Sequence, residues 1–481
     1  MTSLRARWKS IPVIVRWGTL GNLILFASVS GFNAVVLPWI GAADSRFHLR
    51  YALAVFEGRL PVAESIVAAH PPFYYLVVGA FAGPLMQAEH VPVATALVRI
   101  FNISLGCALI LVLAWLAWNI GGRKRDALAI ALPALSVLIT PFVRVAGDTY
   151  NDSMATLWAT TTLALAIVLL KRGPQRHLLI ILAVVSVFGM STRSTFVVSF
   201  GLAMIAVVVA FLLHGTGSRR RRILTGAGTA AAMTATVVAA IGWFYLLNLQ
   251  RSGSWFRSRP QAPFANRDYK SLGDNLTNPE YYLVTVGRLL GFRDWQGFFP
   301  FNGTVSLVIS AVCLVGVIFW LRSRRREGSI IRPGAQLAIV ILLAVQLLGL
   351  YAMQLQHATG WGNINLRYFL PGLLVLGLFL SLGALTWPRL RGQLVTLILA
   401  ILAVGAAFDV LWFVTPKDDN GIAEVNPFMY LPEAVAINSF PAITPLLLLV
   451  GMLVGLLITG FALFKATEPA AIPLSPRRNL A

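Results

Sequence analysis

The stretch Asp44–Tyr75 reads DSRFHLRYALAVFEGRLPVAESIVAAHPPFYY, and it carries an Asp, two His, two Glu and three Arg. It follows the first apolar run of the chain and closes with a His-Pro-Pro sequence at His70. The rest of the chain is largely apolar. We therefore expect a polar loop that a hydrophobic scaffold holds at one membrane face.

The composition is that of a membrane protein. The 481 residues are 57% hydrophobic and 12% charged, with a mean hydropathy of +0.76. Soluble domains carry about twice that charged fraction. Apolar runs of about 20 residues recur, which predicts spanning α-helices, and the runs do not alternate as they would in a transmembrane β-barrel.

The predicted fold is an all-α polytopic membrane protein that forms a single membrane domain over residues 1–481. We expect about twelve spans, near residues 19–41, 94–120, 127–145, 150–170, 178–193, 196–213, 225–249, 301–321, 334–356, 366–386, 392–413 and 441–464.

The distribution of charge predicts the topology. If basic residues before the first span place the N-terminus in the cytoplasm, the whole net charge of +21 falls on that face, as the positive-inside rule requires. Both termini are then cytoplasmic, with a short tail at 466–481. The charge excess is thereby explained without nucleic acid as a partner.

Three long segments are expected on the extracytoplasmic side: 42–93, 250–300 and 414–440. The first should contain two short helices that lie at the membrane interface. One covers about 46–57 and carries Phe47, Tyr51, Val55 and Phe56 toward the bilayer. The other covers 71–88. If it crossed the membrane as a thirteenth span, every later basic loop would lie outside the cytoplasm, so we expect this helix not to cross the membrane.

Polar residues that could carry chemistry gather at the predicted outer membrane boundary. Asp44 and His48 are four residues apart, which places them on one helix face, and a carboxylate there can take a proton or hold a divalent cation. The alternative for Asp44 is a plain helix cap. His70 is held by the two prolines that follow it.

Further candidates come from shorter segments. Asp148, Asn151 and Asp152 could bind a cation or a sugar, or Asn151 or Asp152 could cap the fourth span, and Arg144 could pair with a phosphate. Arg193 and Arg367 are expected at the head-group level, where a charge usually faces a cavity or a partner. Candidates in 250–300 are Arg293, for phosphate, and Trp295, for sugar stacking.

Several motifs resemble those of the integral-membrane glycosyltransferases with the GT-C fold. The similarity is to the group of dolichyl-phosphate-mannose protein mannosyltransferases and lipid A sugar transferases. It is carried by these residues of the chain: the early Asp44, His48-Leu-Arg-Tyr51, Glu57-Gly-Arg-Leu-Pro61, His70-Pro-Pro-Phe-Tyr74-Tyr75, Asn151-Asp152-Ser153 and Arg367-Tyr368-Phe-Leu-Pro371.

The resemblance implies a sugar donor linked to polyprenyl phosphate and a lipid, glycan or protein hydroxyl as acceptor, with transfer outside the cytoplasm. Asp44 would be the catalytic base. Residues expected to bind the donor phosphate are Arg193, Arg367, Arg144 and Arg293. Residues expected to bind sugar or acceptor are His48, Glu57, His70, Tyr74, Asp148, Asn151, Asp152 and Trp295. Many members have a second acid directly after the first. Here Ser45 takes that place, which weakens the assignment of a metal site, and the need for a divalent cation is left open.

A secondary transporter or a lipid-handling protein is the alternative, since carriers also have twelve spans with both ends inside. Carriers keep their polar residues near the bilayer midplane and have two similar halves. The chain shows no clean internal repeat, and we expect few charges within its spans.

Overall fold

The computed structural model describes residues 11–39, 44–122, 125–258, 270–279, 281–282, 285, 290, 302–327, 333–361, 364–387, 390–417 and 424–468. These residues form helices joined by turns, and no β-strand occurs among them. The α-helices are α1 (Val13–Val36), α2 (Ser45–Phe56), α3 (Phe73–Gln87), α4 (Val91–Ile120), α5 (Arg125–Val137), α6 (Thr140–Ala146), α7 (Asp152–Arg172), α8 (Arg176–Met190), α9 (Val197–His214), α10 (Arg219–Ser252), α11 (Leu272–Thr277), α12 (Asn302–Glu327), α13 (Pro333–Trp361), α14 (Leu373–Leu385), α15 (Arg391–Val414), α16 (Pro427–Ile437) and α17 (Thr444–Thr467). Short 3₁₀ helices at Ser194–Phe196 and Leu366–Gly372 lead into α9 and α14.

The all-α membrane fold is confirmed. In the described part of the chain, ten helices are long and apolar enough to cross a membrane, and the bent pair α5–α6 makes an eleventh. The remaining predicted span, near 178–193, corresponds to α8, which has 15 residues. At 1.5 Å per residue α8 is roughly 22 Å long, shorter than the hydrocarbon core of about 30 Å.

The predicted third span is broken. Helices α5 and α6 meet at an angle of 70°. Pro141 explains the break, because its ring lacks an N–H and would clash with the carbonyl of Val137 four residues earlier in a continuous helix. The bend turns α6 and the following polar residues toward the end of the bundle where Asp44 lies.

The first and last helices, α1 and α17, form an extensive helix–helix contact. The two helix backbones approach each other closely at Gly455, where a Cβ atom would lie 2.5 Å from the backbone nitrogen of Leu25. Asn22 adds polar contacts: its side chain donates to the carbonyl of Ile130 at 2.9 Å and accepts from Thr459 at 3.1 Å. Small residues and interhelical hydrogen bonds are the means by which helices associate in lipid.

We predict that Gly455→Leu destabilises the bundle by about 1–3 kcal/mol or more, because the added side chain meets backbone atoms that cannot move aside. Thermal unfolding of the detergent-purified protein measures this. Gly201→Leu is the matched control, since a Cβ there meets nothing within 4 Å. Equal losses in the two variants would contradict the packing argument.

The two short helices of the first predicted outer loop are confirmed, but α2 does not simply lie on the bilayer. The Tyr51 ring is buried and stacks on the ring of Tyr75 in α3, with centroids 3.7 Å apart. Of the predicted bilayer-facing side chains, Phe56 is 39% exposed. Helix α3 packs in turn on α4, so the loop is fixed to the bundle.

Candidate active site

Asp44 and Arg367 form a partly exposed ion pair. The carboxylate Oδ2 accepts a hydrogen bond from Arg367 Nη2 at 2.7 Å, and the two side chains are 28% and 22% exposed. Arg367 is further held by Asn365, whose Oδ1 accepts from its Nε at 3.2 Å, and by the ring of Tyr150, 4.6 Å from the guanidinium carbon. A carboxylate that is fixed and still accessible is suited to take a proton from a bound hydroxyl.

A buried network around Asp148 holds Asp44 in place. Ser45 Oγ donates to Asp148 Oδ2 at 2.7 Å, and Thr149 Oγ1 donates to the carbonyl of Ser45 at 3.1 Å. These bonds tie the first residue of α2 to the turn between α6 and α7. Because Asp148 is fully buried, it positions Asp44 and does not itself face a ligand in this structure.

Two residues of α4 complete this network. Arg99 is buried and donates to the carbonyls of Ala34, Leu37 and Pro38 at the end of α1, while its Nη2 lies 4.0 Å from Asp148 Oδ1. Asn102 Nδ2 donates to two carbonyls of the α6–α7 turn at 2.7 and 3.0 Å. The end of α1, helix α4 and the turn are thereby linked into one unit.

Arg193 has a carboxylate partner of its own. Its Nη1 lies 2.5 Å from Asp152 Oδ1 and donates to Asn151 Oδ1 at 3.1 Å, while Asn151 Nδ2 donates to the carbonyl of Thr192 at 3.1 Å. Asn151 is the residue before α7, but its side chain makes no capping bond. These side chains are buried, and the Arg193 guanidinium lies 5.9 Å from the centroid of the Tyr368 ring.

The two histidines lie behind the ion pair. The rings of His48 and His70 stack 5.9 Å apart, and His48 Nδ1 is hydrogen-bonded to the Tyr75 hydroxyl at 2.9 Å. Burial lowers the pKa of both histidines well below its usual range, and the two nearby arginines lower it further. Both rings are therefore neutral at neutral pH, and His48 contacts aromatic rings instead of pairing with Asp44.

The other predicted site residues lie elsewhere. Arg144 stacks on Phe413 at 3.9 Å and lies 4.0 Å from Asp409. Glu57 is exposed after α2 and pairs with Arg59. Tyr74 is buried and donates to the carbonyl of Thr149 at 3.2 Å, so it supports the turn. Arg293 and Trp295 lie outside the described residues.

Sequence reasoning missed part of the network. Because few charges were expected within the spans, Arg99 was not identified as a candidate. The available signal was a polar pair in the apolar run 94–120, namely Arg99 and Asn102, which are three residues apart. Asp409, in the span 392–413, is a second case. No comparable signal pointed to Ser45 or Asn365 as positioning residues.

The donor set does not fit a divalent cation. Ca²⁺ and Mg²⁺ need several oxygen ligands, and the accessible Asp44 carboxylate is paired with the Arg367 guanidinium. Among the described residues, no group of three or more His, Cys, Asp or Glu could hold a metal ion.

The architecture is the GT-C fold of integral-membrane glycosyltransferases. The crystal structure of ArnT from Cupriavidus metallidurans bound to undecaprenyl phosphate matches with a TM-score of 0.50 and 15% identity, over 94% of this chain and 75% of that one. The apo structure of the same protein matches with a TM-score of 0.47. An oligosaccharyltransferase of Archaeoglobus fulgidus matches with a TM-score of 0.44 and 13% identity, over 83% of this chain and 56% of that one. No known family model and no curated protein sequence matches the chain.

We predict that Arg99→Met lowers the free energy of unfolding by about 3–5 kcal/mol, because it leaves the buried Asp148 carboxylate without its counter-charge and three carbonyls without the donor that Arg99 supplies. Denaturation of the purified protein with SDS measures the loss. Arg59→Met, which removes a 62% exposed partner of Glu57, should change it by less than about 1 kcal/mol. A loss of similar size in both variants would contradict the assigned role of Arg99.

We predict that stability falls as the pH drops below about 6.5. The unfolded state then binds protons that the buried, neutral His48 and His70 do not, so the stability present above that pH is lost progressively toward their folded pKa values. Thermal unfolding of wild type and His70→Asn between pH 5 and 8 measures this. Between pH 8 and pH 5 the melting temperature of the wild type should fall more than that of the variant. If the two melting temperatures fall in parallel, His70 does not contribute to the pH dependence of stability.

Proposed function

We propose that this chain is a glycosyltransferase that moves a sugar from a polyprenyl-phosphate donor to a hydroxyl acceptor at a membrane face. The observation that carries the proposal is the accessible Asp44 carboxylate held 2.7 Å from Arg367. The shared fold supports it, because the ArnT structure was obtained with undecaprenyl phosphate bound. That fold also favours a transferase over the carrier alternative.

Asp44 is the base in this proposal. As the acceptor oxygen attacks the anomeric carbon of the sugar, its proton passes to the Asp44 carboxylate. The new glycosidic bond forms while the bond between that carbon and the phosphate oxygen breaks, and the electron pair leaves with the polyprenyl phosphate. The chemistry needs no further reactant, and it needs positive charge beside the leaving phosphate.

Arg367 is the cation best placed for that phosphate, since it is partly exposed and lies directly beside Asp44. Arg193 is more deeply buried and is neutralised by Asp152, so its contribution to phosphate binding is smaller. A phosphate that shares Arg367 would weaken its bond to Asp44. The carboxylate would then be a stronger base when the donor is bound than when the site is empty.

The proposal places this reaction outside the cytoplasm. If the basic loops lie in the cytoplasm as the positive-inside rule states, Asp44 falls on the other side. The partners are then the lipid bilayer, a polyprenyl-phosphate-linked sugar and a lipid, glycan or protein acceptor.

We predict that Asp44→Asn abolishes the transfer, with a loss of at least about 100-fold, because the amide cannot accept the hydroxyl proton. Mass spectrometry of cell-envelope glycans from a deletion strain of the source organism, complemented with each variant, measures this. The deletion should remove one glycan, wild type should restore it, and Asp44→Asn should not.

Glu433→Gln is the matched control, since it removes an exposed carboxylate of α16 and should restore the glycan fully. Membrane abundance of each variant is measured in parallel. Full restoration by Asp44→Asn at normal abundance would remove Asp44 from the catalytic role. An unchanged glycan profile in the deletion strain would contradict the proposed transferase activity.

A further inference from the structure

A cavity of about 420 Å³ lies at the end of the bundle that faces away from Asp44. Its polar lining includes these six residues: Arg172, His214, Thr216, Arg221, Arg222 and Thr225. Helix α7 runs from Asp152 in the candidate active site to Arg172 in this cavity. Its 21 residues extend about 30 Å, which is the thickness of the hydrocarbon core. The cavity is therefore at the head-group level of the opposite membrane face.

The positive charge of the cavity is not balanced. Among the described residues, no hydrogen bond or ion pair satisfies the guanidinium groups of Arg172 and Arg221, and no acidic side chain is part of the cavity wall. Arg222 is anchored, because its Nη1 donates to the carbonyl of Leu212 at 2.8 Å. Like charges brought together without a counter-charge repel each other, so an anion in the cavity would lower the energy.

The N-terminal end of α10 adds to the positive potential of the cavity. The cavity adjoins the first turn of α10, a helix of 34 residues that begins after Ser218, and helix N-termini favour anions. The His214 ring at its edge is held by donation from Nε2 to the carbonyl of Leu170 at 2.8 Å. Gly217, with φ +90°, lets the chain turn sharply between α9 and α10.

We propose that this cavity binds the phosphate group of an anionic lipid in the leaflet opposite to the candidate active site. A lipid is favoured over a soluble phosphate because the same turn of α10 exposes Ile223 (38%) and Leu224 (61%), which offer acyl chains an apolar path beside the cavity. Basic pockets between helices at a membrane face are suited to such head groups. The proposal is independent of the proposed transferase activity.

The test compares two variants with equal loss of charge. Arg172→Gln/Arg221→Gln removes the two guanidinium groups that line the cavity. Arg219→Gln/Arg220→Gln removes two exposed arginines of the same α10 turn that do not line it. Native mass spectrometry of the full chain from nanodiscs that contain phosphatidylglycerol and phosphatidylcholine measures the lipid retained.

We expect wild type and Arg219→Gln/Arg220→Gln to retain phosphatidylglycerol in preference to phosphatidylcholine. Arg172→Gln/Arg221→Gln should retain on the order of tenfold less of it, since each arginine near the surface contributes to the attraction. If both variants lose the same amount of phosphatidylglycerol, the attraction comes from diffuse surface charge and the proposed site is wrong. If both variants retain as much as wild type, the proposed site is also wrong. If inorganic phosphate raises the melting temperature of lipid-free wild type and not of Arg172→Gln/Arg221→Gln, while phosphatidylglycerol is not retained, the site takes a soluble phosphate and the lipid assignment is wrong.

Discussion

The contact between Asp44 and Arg367 joins residues that are 323 positions apart in the chain. One belongs to the start of α2 and the other to the 3₁₀ turn that leads into α14, so the bundle must close for the pair to form. Both side chains keep partial access to solvent. A partly exposed ion pair contributes little to stability, so its main physical consequence is to fix the orientation of the Asp44 carboxylate.

A fully buried layer of polar side chains lies beneath that pair and holds Asp44 in position. Asp148, Arg99 and Asn102 lie where an unpaired polar group would cost several kcal/mol, and the contacts described above give each of them a partner. The same contacts connect α1, α2, α4 and the α6–α7 turn. The broken third span supplies this turn, and the fold and the site therefore depend on one set of hydrogen bonds.

Much of this architecture was predictable from the sequence, because the signals are local. Each apolar run predicts one helix, and each basic loop predicts on which side of the membrane that helix ends. The short helices on either side of Glu57 were also predictable, from the proline pair and the aromatic spacing. The partners of Asp44 were not, since they depend on tertiary contacts: His48 has the right helical spacing, but Arg367 makes the contact. Arg193 and Arg367 were expected to bind a phosphate, and in the structure each of them is paired with a carboxylate.

The most direct test of the shared role of Arg367 is the affinity of the purified protein for undecaprenyl phosphate, measured for wild type, Asp44→Asn and Arg367→Gln. If the N–H groups of Arg367 bind both the Asp44 carboxylate and the lipid phosphate, the two substitutions change the affinity for undecaprenyl phosphate in opposite directions. Asp44→Asn should bind more tightly than wild type, because the arginine is released, and Arg367→Gln should bind more weakly. Weaker binding in both variants, or unchanged binding in Arg367→Gln, would contradict the account.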